Sequence, residues 1–405
     1  MQYQRMLRLS ALLTSTAGAC MTALVPTLAA DFSFEGELTF EARSFLNAPT
    51  SLHAKRNYGS VSTLLELGIY DDANTHAFIF KGFARGDSED DNRSHADLRE
   101  AKYIFVSDNY ELAVGIDHVF WGVTEFAHIV DIINQTDATE SVDGEQKLGQ
   151  PMLRSSYVSE YGTFSGFYMP LHRPRTVFDK QGRPTSGLII SDDHELYESN
   201  HANEQNEFAL RYENSFDAFD IGLAYFDGTA REPIINPANS VGGEITPYYP
   251  LLKQISLDTQ ATLGPWLLKL EALQQDQLDE QTARAVIGFE YTFYGLLGTS
   301  SDLGLVAEYM WDERQEIAPH PLANDIGIGF RWTANDVQST TLLAGAIIDL
   351  DHQSMGVSLE AERRLTNNLS LSVEARFQTN IDPADQILSS IKDEDFIRLQ
   401  LTTYF

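Results

Sequence analysis

Apolar and polar side chains alternate along most of the chain from Phe32 onwards. In residues 396–405 the odd positions from Ile397 to Phe405 are mainly apolar, and the even positions are mainly polar. The same period of two recurs in residues 324–333 and 367–380. A helix would spread these apolar side chains around its whole surface, whereas a strand collects them on one face. The pattern therefore predicts a protein built almost entirely from β-strands.

Strand-like segments with this pattern number about eighteen. They are residues 32–46, 58–70, 75–86, 95–107, 110–121, 151–160, 163–171, 206–215, 217–229, 252–263, 265–277, 281–294, 301–314, 323–334, 338–350, 353–365, 368–380 and 391–405. Many exceed the roughly 5–6 residues usual for soluble strands, and their length suits tilted strands that cross a bilayer, which need about 9–11. The segments at 151–171 and 338–365 are hard to delimit, so sixteen strands are also compatible with the pattern.

The connections between these segments alternate in length. Short connections such as 107–109 and 160–162 alternate with long ones such as 122–150, 172–205 and 230–251. Outer-membrane barrels have short periplasmic turns and longer outside loops. We therefore predict an all-β fold, a closed antiparallel transmembrane β-barrel with an even number of strands. The alternative is a soluble β-sandwich or a secreted jelly roll.

The first thirty residues resemble a secretory signal peptide. Arg5 and Arg8 precede an apolar stretch, and small residues end it at Ala29 and Ala30. The predicted organisation is a signal peptide at 1–30 followed by the barrel at 31–405. Cys20, the single Cys of the chain, lies in this signal, so the mature protein would have no disulfide or thiolate metal site. A lipoprotein with a lipidated Cys20 is the alternative.

Charge narrows the function further. The 405 residues include 59 acidic and 28 basic side chains, with a formal net charge of −31. Such a surface argues against nucleic-acid binding, which requires many basic contacts to phosphate. No later stretch reaches 18 consecutive apolar residues, so an exported chain that spans a membrane would do so as a barrel. The expected location is the outer membrane of a Gram-negative cell.

The polar faces of the predicted strands carry acidic and basic side chains together. A dry core would not tolerate so many charges, because each unpaired one costs several kcal/mol, whereas barrels of 16–18 strands leave an aqueous channel. Most of these charges are expected to form cross-strand pairs, and a subset is expected near a constriction. The residues predicted to line the pore or its constriction are Lys81, Arg85, Glu100, Lys102, Asp117, Trp121, Glu125, Asp131, Asn134, Asp137, Arg211, Arg331 and Arg376.

Residues 122–150 are too apolar for an ordinary outside loop. We expect this loop to fold inward after the fifth strand, to be anchored by Trp121 and Phe120, and to constrict or plug the channel. Its polar side chains would then face cations of the wall. These side chains are Glu125, His128, Asp131, Asn134 and Asp137, and the cations are Lys81, Arg85 and Lys102. The alternative is an outside surface helix that contacts lipopolysaccharide or a partner.

Residues 98–122 carry a recognisable hairpin. The segment Leu98-Arg-Glu-Ala-Lys-Tyr103 is followed by Leu112, Val114-Gly115 and Trp121-Gly122. It resembles the LREAY…VG…WG hairpin of porin-like Gram-negative barrels, including alginate-export-type and related uncharacterised families. The resemblance implies a porin-like barrel. Ile116-Asp117 stands where those families usually carry Arg, so an anion preference does not transfer to this chain.

Other parts of the sequence indicate partners. The terminal Phe405 resembles the signal that outer-membrane barrels present to their assembly machinery. The lipid bilayer and lipopolysaccharide are the expected surroundings, and divalent cations would bridge phosphorylated lipid to acidic loops at 87–91, 276–280 and 382–395. Residues 192–195 and His201 include metal-ligand types, but without a fixed spacing they favour a solvated loop. No metal and no cofactor are predicted.

These features favour a channel for small hydrophilic solutes, monomeric or trimeric, with a mild preference for cations. A non-conducting barrel that anchors an envelope complex and a conduit for polymer export are the alternatives. The sequence contains no G-x-S-x-G, H-E-x-x-H, P-loop or dinucleotide motif. His118, placed by the pattern on the lipid-facing side, has no clear Ser partner, so no enzyme activity is predicted.

Overall fold

A computed structural model describes residues 30–49, 54–316 and 322–405. The predicted signal peptide lies outside the described residues except for its last position. Eighteen strands form the barrel. They are β1 (Ala30–Phe45), β2 (Asn57–Asp71), β3 (His76–Asp87), β4 (Ala96–Val106), β5 (Tyr110–Asp117), β6 (Gln150–Ser159), β7 (Gly162–Met169), β8 (Glu207–Phe216), β9 (Phe219–Thr229), β10 (Leu251–Leu263), β11 (Trp266–Gln277), β12 (Glu280–Phe293), β13 (Asp302–Asp312), β14 (Asn324–Thr333), β15 (Thr341–Asp349), β16 (Met355–Thr366), β17 (Leu369–Thr379) and β18 (Phe396–Tyr404).

The sheet closes on itself. Each strand pairs antiparallel with the next one along the chain, and β1 pairs with β18 from Glu37 opposite Tyr404 to Phe45 opposite Phe396. Closure removes the open edges that a hydrocarbon layer would leave without hydrogen bonds. The predicted closed antiparallel barrel of eighteen strands is confirmed, and a barrel of sixteen is excluded for the described chain.

The period of two separates the two faces of the wall. On β1 the side chains of Phe34 and Phe40 point outward and are about half exposed, while Glu41 and Arg43 point inward and are buried. Apolar side chains continue around the outer surface, where they form the belt that faces lipid in membrane barrels. The inner face of the same strands therefore carries the charged side chains.

The two ends of the barrel differ. One end has tight turns such as 107–109 and 264–265, and the other carries loops 118–149, 170–206, 230–250 and 380–395. One connection at the loop end is a two-residue turn at Leu278 and Asp279, both with positive φ, as expected for a hairpin turn of primed type. The acidic outside loop expected at 276–280 is therefore only a two-residue turn, because its flanking residues extend β11 and β12.

The long loops have little regular structure. Loops 170–206 and 230–250 meet through a parallel pairing of Leu196–Tyr197 with Tyr248–Tyr249, and loop 380–395 contains the short helix α1 (Gln386–Ser390). No helix in the described part of the chain is long and apolar enough to cross a membrane. Strand β5 ends at Asp117 instead of the predicted residue 121, so the next loop begins four residues earlier than predicted.

Candidate functional site

Residues 118–149, named here the inward loop, lie inside the barrel. Trp121, Val130 and Ile133 of this loop are buried in one apolar cluster with wall residues such as Phe167 and Phe226. The Trp121 ring meets Phe167 edge-on, with ring centroids 5.6 Å apart. Aromatic and branched side chains thus attach the base of the inward loop to β7 and β9. Phe120, also expected as an anchor, is half exposed.

A buried carboxylate on β11 holds the next part of the inward loop. Glu271 accepts hydrogen bonds from the backbone N–H groups of Val123 (2.7 Å), Thr124 (3.0 Å) and Val130 (3.2 Å). It also accepts one from the Thr124 hydroxyl (2.7 Å). Hydrogen bonds to an ionised acceptor are stronger than neutral ones, so four donors on one carboxylate fix the backbone of this segment firmly.

The tip of the inward loop contacts three further strands, β13, β14 and β15. Glu308 of β13 accepts from the backbone N–H groups of Glu125 (2.8 Å) and Phe126 (2.9 Å). The Phe126 ring lies over Gly327, and a Cβ built at that glycine would lie 2.5 Å from the ring. The same ring contacts the glycine at 345 on β15. Glycine is required at 327 because the aromatic ring occupies the space of a side chain.

These contacts show that the inward loop crosses the lumen. It leaves the wall at β5, and the Glu125 carboxylate pairs with Arg331 of β14, nine strands around an eighteen-strand ring. Lys269 of β11 lies 3.7 Å from the same carboxylate. A segment that starts at one wall and ends on the opposite wall divides the interior.

The returning half of the inward loop is attached by ion pairs. Asp137 pairs with Arg99 and accepts from His95 (3.2 Å), while Glu140 forms a forked pair with Arg85 (2.7 and 2.8 Å). Burial alone would raise the pKa of Asp137, but the hydrogen bond from His95 and the charge of Arg99 hold this pKa well below its usual range. Asp137 therefore stays ionised in its buried position.

Two arginines extend this attachment. Arg93, fully buried, donates to the carbonyl of Thr139 (3.0 Å) and pairs with Glu41 of β1 (2.8 Å). Arg376 of β17 pairs with Asp143 of the inward loop. Burial raises the pKa of Asp143, but the charge of Arg376 and the hydrogen bonds from the Ser141 hydroxyl and the Glu145 N–H together outweigh it, so the net pKa is lowered. The loop is thus held from β1 around to β17 on this side.

Hydrogen bonds from Asn134 join the two ends of the inward loop, where the chain leaves and rejoins the barrel wall. Asn134 is fully buried: its Oδ1 accepts from Val119 N–H (2.9 Å) and its Nδ2 donates to the carbonyls of Asp117 and Leu148 (3.0 and 2.9 Å). The side chain of Asn134 therefore faces the loop interior instead of the lumen. Asp131 also holds the first end of the inward loop, because it accepts a hydrogen bond from the Trp121 N–H (3.2 Å).

The wall cations expected to face the loop carboxylates have other partners. Lys81 pairs with Glu66 on the neighbouring strand, and Lys102 pairs with Glu100. A third carboxylate, Asp117 at the end of β5, also pairs with Lys102. Of the three expected cations, Arg85 alone forms an ion pair with the inward loop among the described residues, through Glu140, which the sequence analysis did not name.

Arg211 contacts both the barrel wall and the inward loop. Its guanidinium forms a forked pair with Asp258 of β10 (2.8 and 3.0 Å) and lies 4.9 Å from the centre of the Trp121 ring. The sequence analysis missed the anchoring residues Arg93, Arg99, Glu140, Asp143, Arg231, Glu271 and Glu308. Arg99 stands in the quoted hairpin, and the two-residue period puts Glu271 and Glu308 on the inner face, whereas the other four carry no local signal.

A large polar cavity remains beside the inward loop. This cavity, of about 510 Å³, lies between the loop and the inner faces of β1 to β4 and β18. Lys81, Arg85 and Glu100 line the cavity from the wall, and Lys147 lines it from the loop. His118 also lines this cavity, so its expected lipid-facing position is wrong. It follows β5 directly, where the chain has already turned inward.

The glycines of the hairpin have a steric role. Gly115 has φ of +134°, a conformation that L side chains rarely adopt. A Cβ at this position would also collide with the carbonyl oxygen of Ala101 on β4. Gly122, at the start of the crossing segment, has the same φ. Both positions need glycine for the path of the backbone.

Known proteins resemble this chain in fold and not in sequence. No family model matches the chain, and no curated protein matches it either. A BenF-like porin from Pseudomonas fluorescens Pf-5 is similar over 93% of this chain and 98% of its own, with 12% identity and a TM-score of 0.52. Escherichia coli Wzi, an outer-membrane protein involved in group 1 capsule assembly and described as a carbohydrate-binding β-barrel, is similar over 90% and 83%, with 8% identity and a TM-score of 0.53.

At such low identity the likeness concerns the fold. It agrees with the closed sheet, the outward apolar belt and the charged interior, which together need a bilayer around them. This chain has the fold of a porin-like outer-membrane β-barrel, and its location is the outer membrane.

Proposed function

We propose that the protein is a channel for passive diffusion of small hydrophilic solutes, and that the inward loop is its constriction. The observation that carries this proposal is the crossing of the lumen by residues 118–149, between β5 and the opposite strand β14. An eighteen-strand barrel is wide enough for an aqueous channel. A segment fixed across that channel reduces its free cross-section and so limits the size of the solute that can pass.

The side chains around the remaining space support passage of polar molecules. The cavity beside the inward loop is bordered by Lys81, Arg85 and Arg99 and by the carboxylates of Glu100 and Glu140. Charges of both signs across a narrow aqueous space produce a transverse field, which orients dipolar solutes. The hairpin at residues 98–122 adds a resemblance to porin-like barrels.

Two further partners belong to this proposal. The backbone of Phe405 pairs with Gly36 through hydrogen bonds of 2.9 and 3.0 Å, and its ring covers that glycine. The last residue thus takes part in closing the barrel, and we infer that the outer-membrane assembly machinery recognises it. The acidic outer loops would contact lipopolysaccharide through divalent cations.

Planar-bilayer recording of the purified protein tests the channel. We expect stepwise conductance, and larger steps when residues 122–146 are replaced by a short Gly-Ser linker. Since the deleted protein could fail to fold, Glu271→Gln serves as a second variant. It removes the charge that accepts four hydrogen bonds from the inward loop, so we expect frequent transitions to a higher conductance.

Glu362→Gln is the matched control, because Glu362 faces the lumen from β16 opposite Thr341 and lies away from the inward loop. A protein that folds but never forms steps would contradict the channel and favour a non-conducting barrel. Conductance steps of unchanged size in both loop variants would contradict the role of the inward loop as a constriction, but they would leave the channel itself supported.

A further inference from the structure

Three potential metal ligands converge at the outer end of the barrel, away from the inward loop. They are Asp349 at the end of β15, His352 in the loop 350–354 and Asp385 in the loop 380–395. One ligand atom of each lies within 4.8 Å of the other two. Asp349 Oδ2 and His352 Nδ1 are 3.2 Å apart.

Asp385 has a buried oxygen without a hydrogen-bond donor. The residue is only 7% exposed. Its Oδ1 accepts from the backbone N–H of Leu388 (2.9 Å), while its Oδ2 has no hydrogen-bond partner among the described residues. A buried carboxylate oxygen is normally satisfied by a donor or by a cation. This oxygen therefore indicates that a partner other than the chain belongs here.

The surrounding charge points to a cation. Asp325 of β14, 1% exposed, stands directly opposite Asp349 on the same face of the sheet. Like charges at directly opposed positions destabilise a sheet. In the described part of the chain no Lys or Arg forms an ion pair with Asp325, Asp349 or Asp385, and His352 is the one basic group beside them.

The loops that carry the ligands are already held together. Asn380 Nδ2 donates to the carbonyl of Gln353 (2.7 Å), and the Asp382 N–H donates to Ser354 Oγ (3.1 Å). These bonds join loop 350–354 to loop 380–395 without help from the cluster. The three ligand groups are therefore positioned in advance, which lowers the entropic cost of binding an ion.

We propose that Asp349, His352 and Asp385 bind a divalent transition-metal ion, with water completing its coordination. An imidazole with two carboxylates suits zinc-type ions, whereas calcium and magnesium prefer oxygen ligands alone. Four-coordinate zinc, with bonds of about 2.0–2.2 Å, places its ligand atoms about 3.4 Å apart. The partly exposed His352 lies in a five-residue loop, where a small movement closes the site. The bound ion would tie two outside loops together.

Calorimetric titration of the folded, detergent-purified full chain with zinc chloride tests this site. We expect one ion per chain, with an affinity at least tenfold lower in His352→Gln and in Asp385→Asn. Asparagine at 385 still accepts the Leu388 hydrogen bond as a helix cap, so this variant keeps its local structure. His201→Gln, which removes an exposed loop histidine outside the cluster, is the matched control and should leave the affinity unchanged.

Cobalt binding gives a second readout. The visible absorption of cobalt in the wild type should show four-coordinate nitrogen and oxygen ligation, and it should be absent in Asp385→Asn. Heat-modified migration on a gel establishes that each variant is folded. The site would be overturned by zinc affinities that are equal in wild type, His352→Gln and Asp385→Asn. It would also be overturned by calcium or magnesium binding there more tightly than zinc.

Discussion

The carboxylate of Glu125 pairs with the guanidinium of Arg331, 206 residues later in the chain and on the opposite wall of the barrel. The same carboxylate lies 3.7 Å from Lys269. One loop charge therefore offsets two cations of the wall, at the point where the inward loop reaches the far side of the lumen.

Removal of this charge should change ion selectivity. In Glu125→Gln, Arg331 and Lys269 lose the loop carboxylate, and Arg331 keeps only the more distant Glu290 (3.8 Å), so the local charge becomes more positive. We expect the reversal potential in a potassium chloride gradient to shift towards anions, most strongly at low salt, because the screening length is about 10 Å at 0.1 M. Glu362→Gln removes one negative charge from the wall without touching the inward loop. Equal shifts in the two variants would show a general charge effect and not a role for Glu125.

The packing of the Phe126 ring on Gly327 should be sensitive to a single added methyl group. In Gly327→Ala the new Cβ would lie 2.5 Å from the Phe126 ring, so we expect a loss of about 1–3 kcal/mol in the free energy of unfolding. The double variant with Phe126→Ala should recover the part due to the clash, as a double-mutant cycle would measure. Gly86→Ala is the control, since a Cβ there meets no atom within 4 Å. Additive losses would argue against direct contact.

Arg231 should contribute strongly to stability. It pairs with the fully buried Glu207 (2.7 Å) and donates to the carbonyl of Ile133 in the inward loop (3.0 Å). Arg231→Met leaves a buried carboxylate without its partner, which typically costs about 3–5 kcal/mol. Urea unfolding in detergent measures the loss, and adding Glu207→Gln should restore part of it. Arg363→Met, in an exposed ion pair, should change little, and an equal effect in both would refute this assignment.

Attachment of the inward loop should depend on pH through His95 and Asp137. Burial lowers the pKa of His95, but the hydrogen bond to Asp137 and the charges of Asp137 and Glu140 together outweigh it and raise the pKa above 6.5. The stabilisation from protonated His95 is complete below 6.5 and is lost as pH rises through the raised pKa. The Asp137 contribution is present above 3.8 and is lost as pH falls through its lowered pKa.

We therefore expect protection factors for residues 137–141 in hydrogen exchange to be highest between about pH 4 and 6.5 and to fall above that range. His95→Gln should remove the fall at high pH, while Arg99 still holds Asp137. His194→Gln, in loop 170–206, is the control. A fall of the same size in His95→Gln would show that another group controls the attachment.

Strand pattern and lumen face could be predicted from local sequence because alternation is a property of neighbouring residues. On β1 the two-residue period puts Glu41 and Arg43 on the face opposite Phe34 and Phe40, and both are buried there. The predicted end of β5 lies four residues too late, since Phe120 continues the apolar alternation of Leu112, Val114 and Ile116. Tertiary contacts decide this end: Asn134 binds the backbone of Val119 and Asp117 and turns the chain inward.

The partners of the charged side chains could not be predicted in the same way. Lys81 was expected to face the inward loop, yet strand register places it opposite Glu66. Glu271 and Glu308 look like any other acidic position of a wall, and only the path of the inward loop makes them acceptors for its backbone.

The sequence by itself determined a closed β wall with an apolar outside and a charged inside, because both follow from the two-residue period of a strand. Only the tertiary structure decided where the inward loop lies and which charges hold it. Those contacts join residues up to 233 positions apart, such as Asp143 and Arg376. They depend on the register of eighteen strands around a ring, which no local pattern of residues specifies.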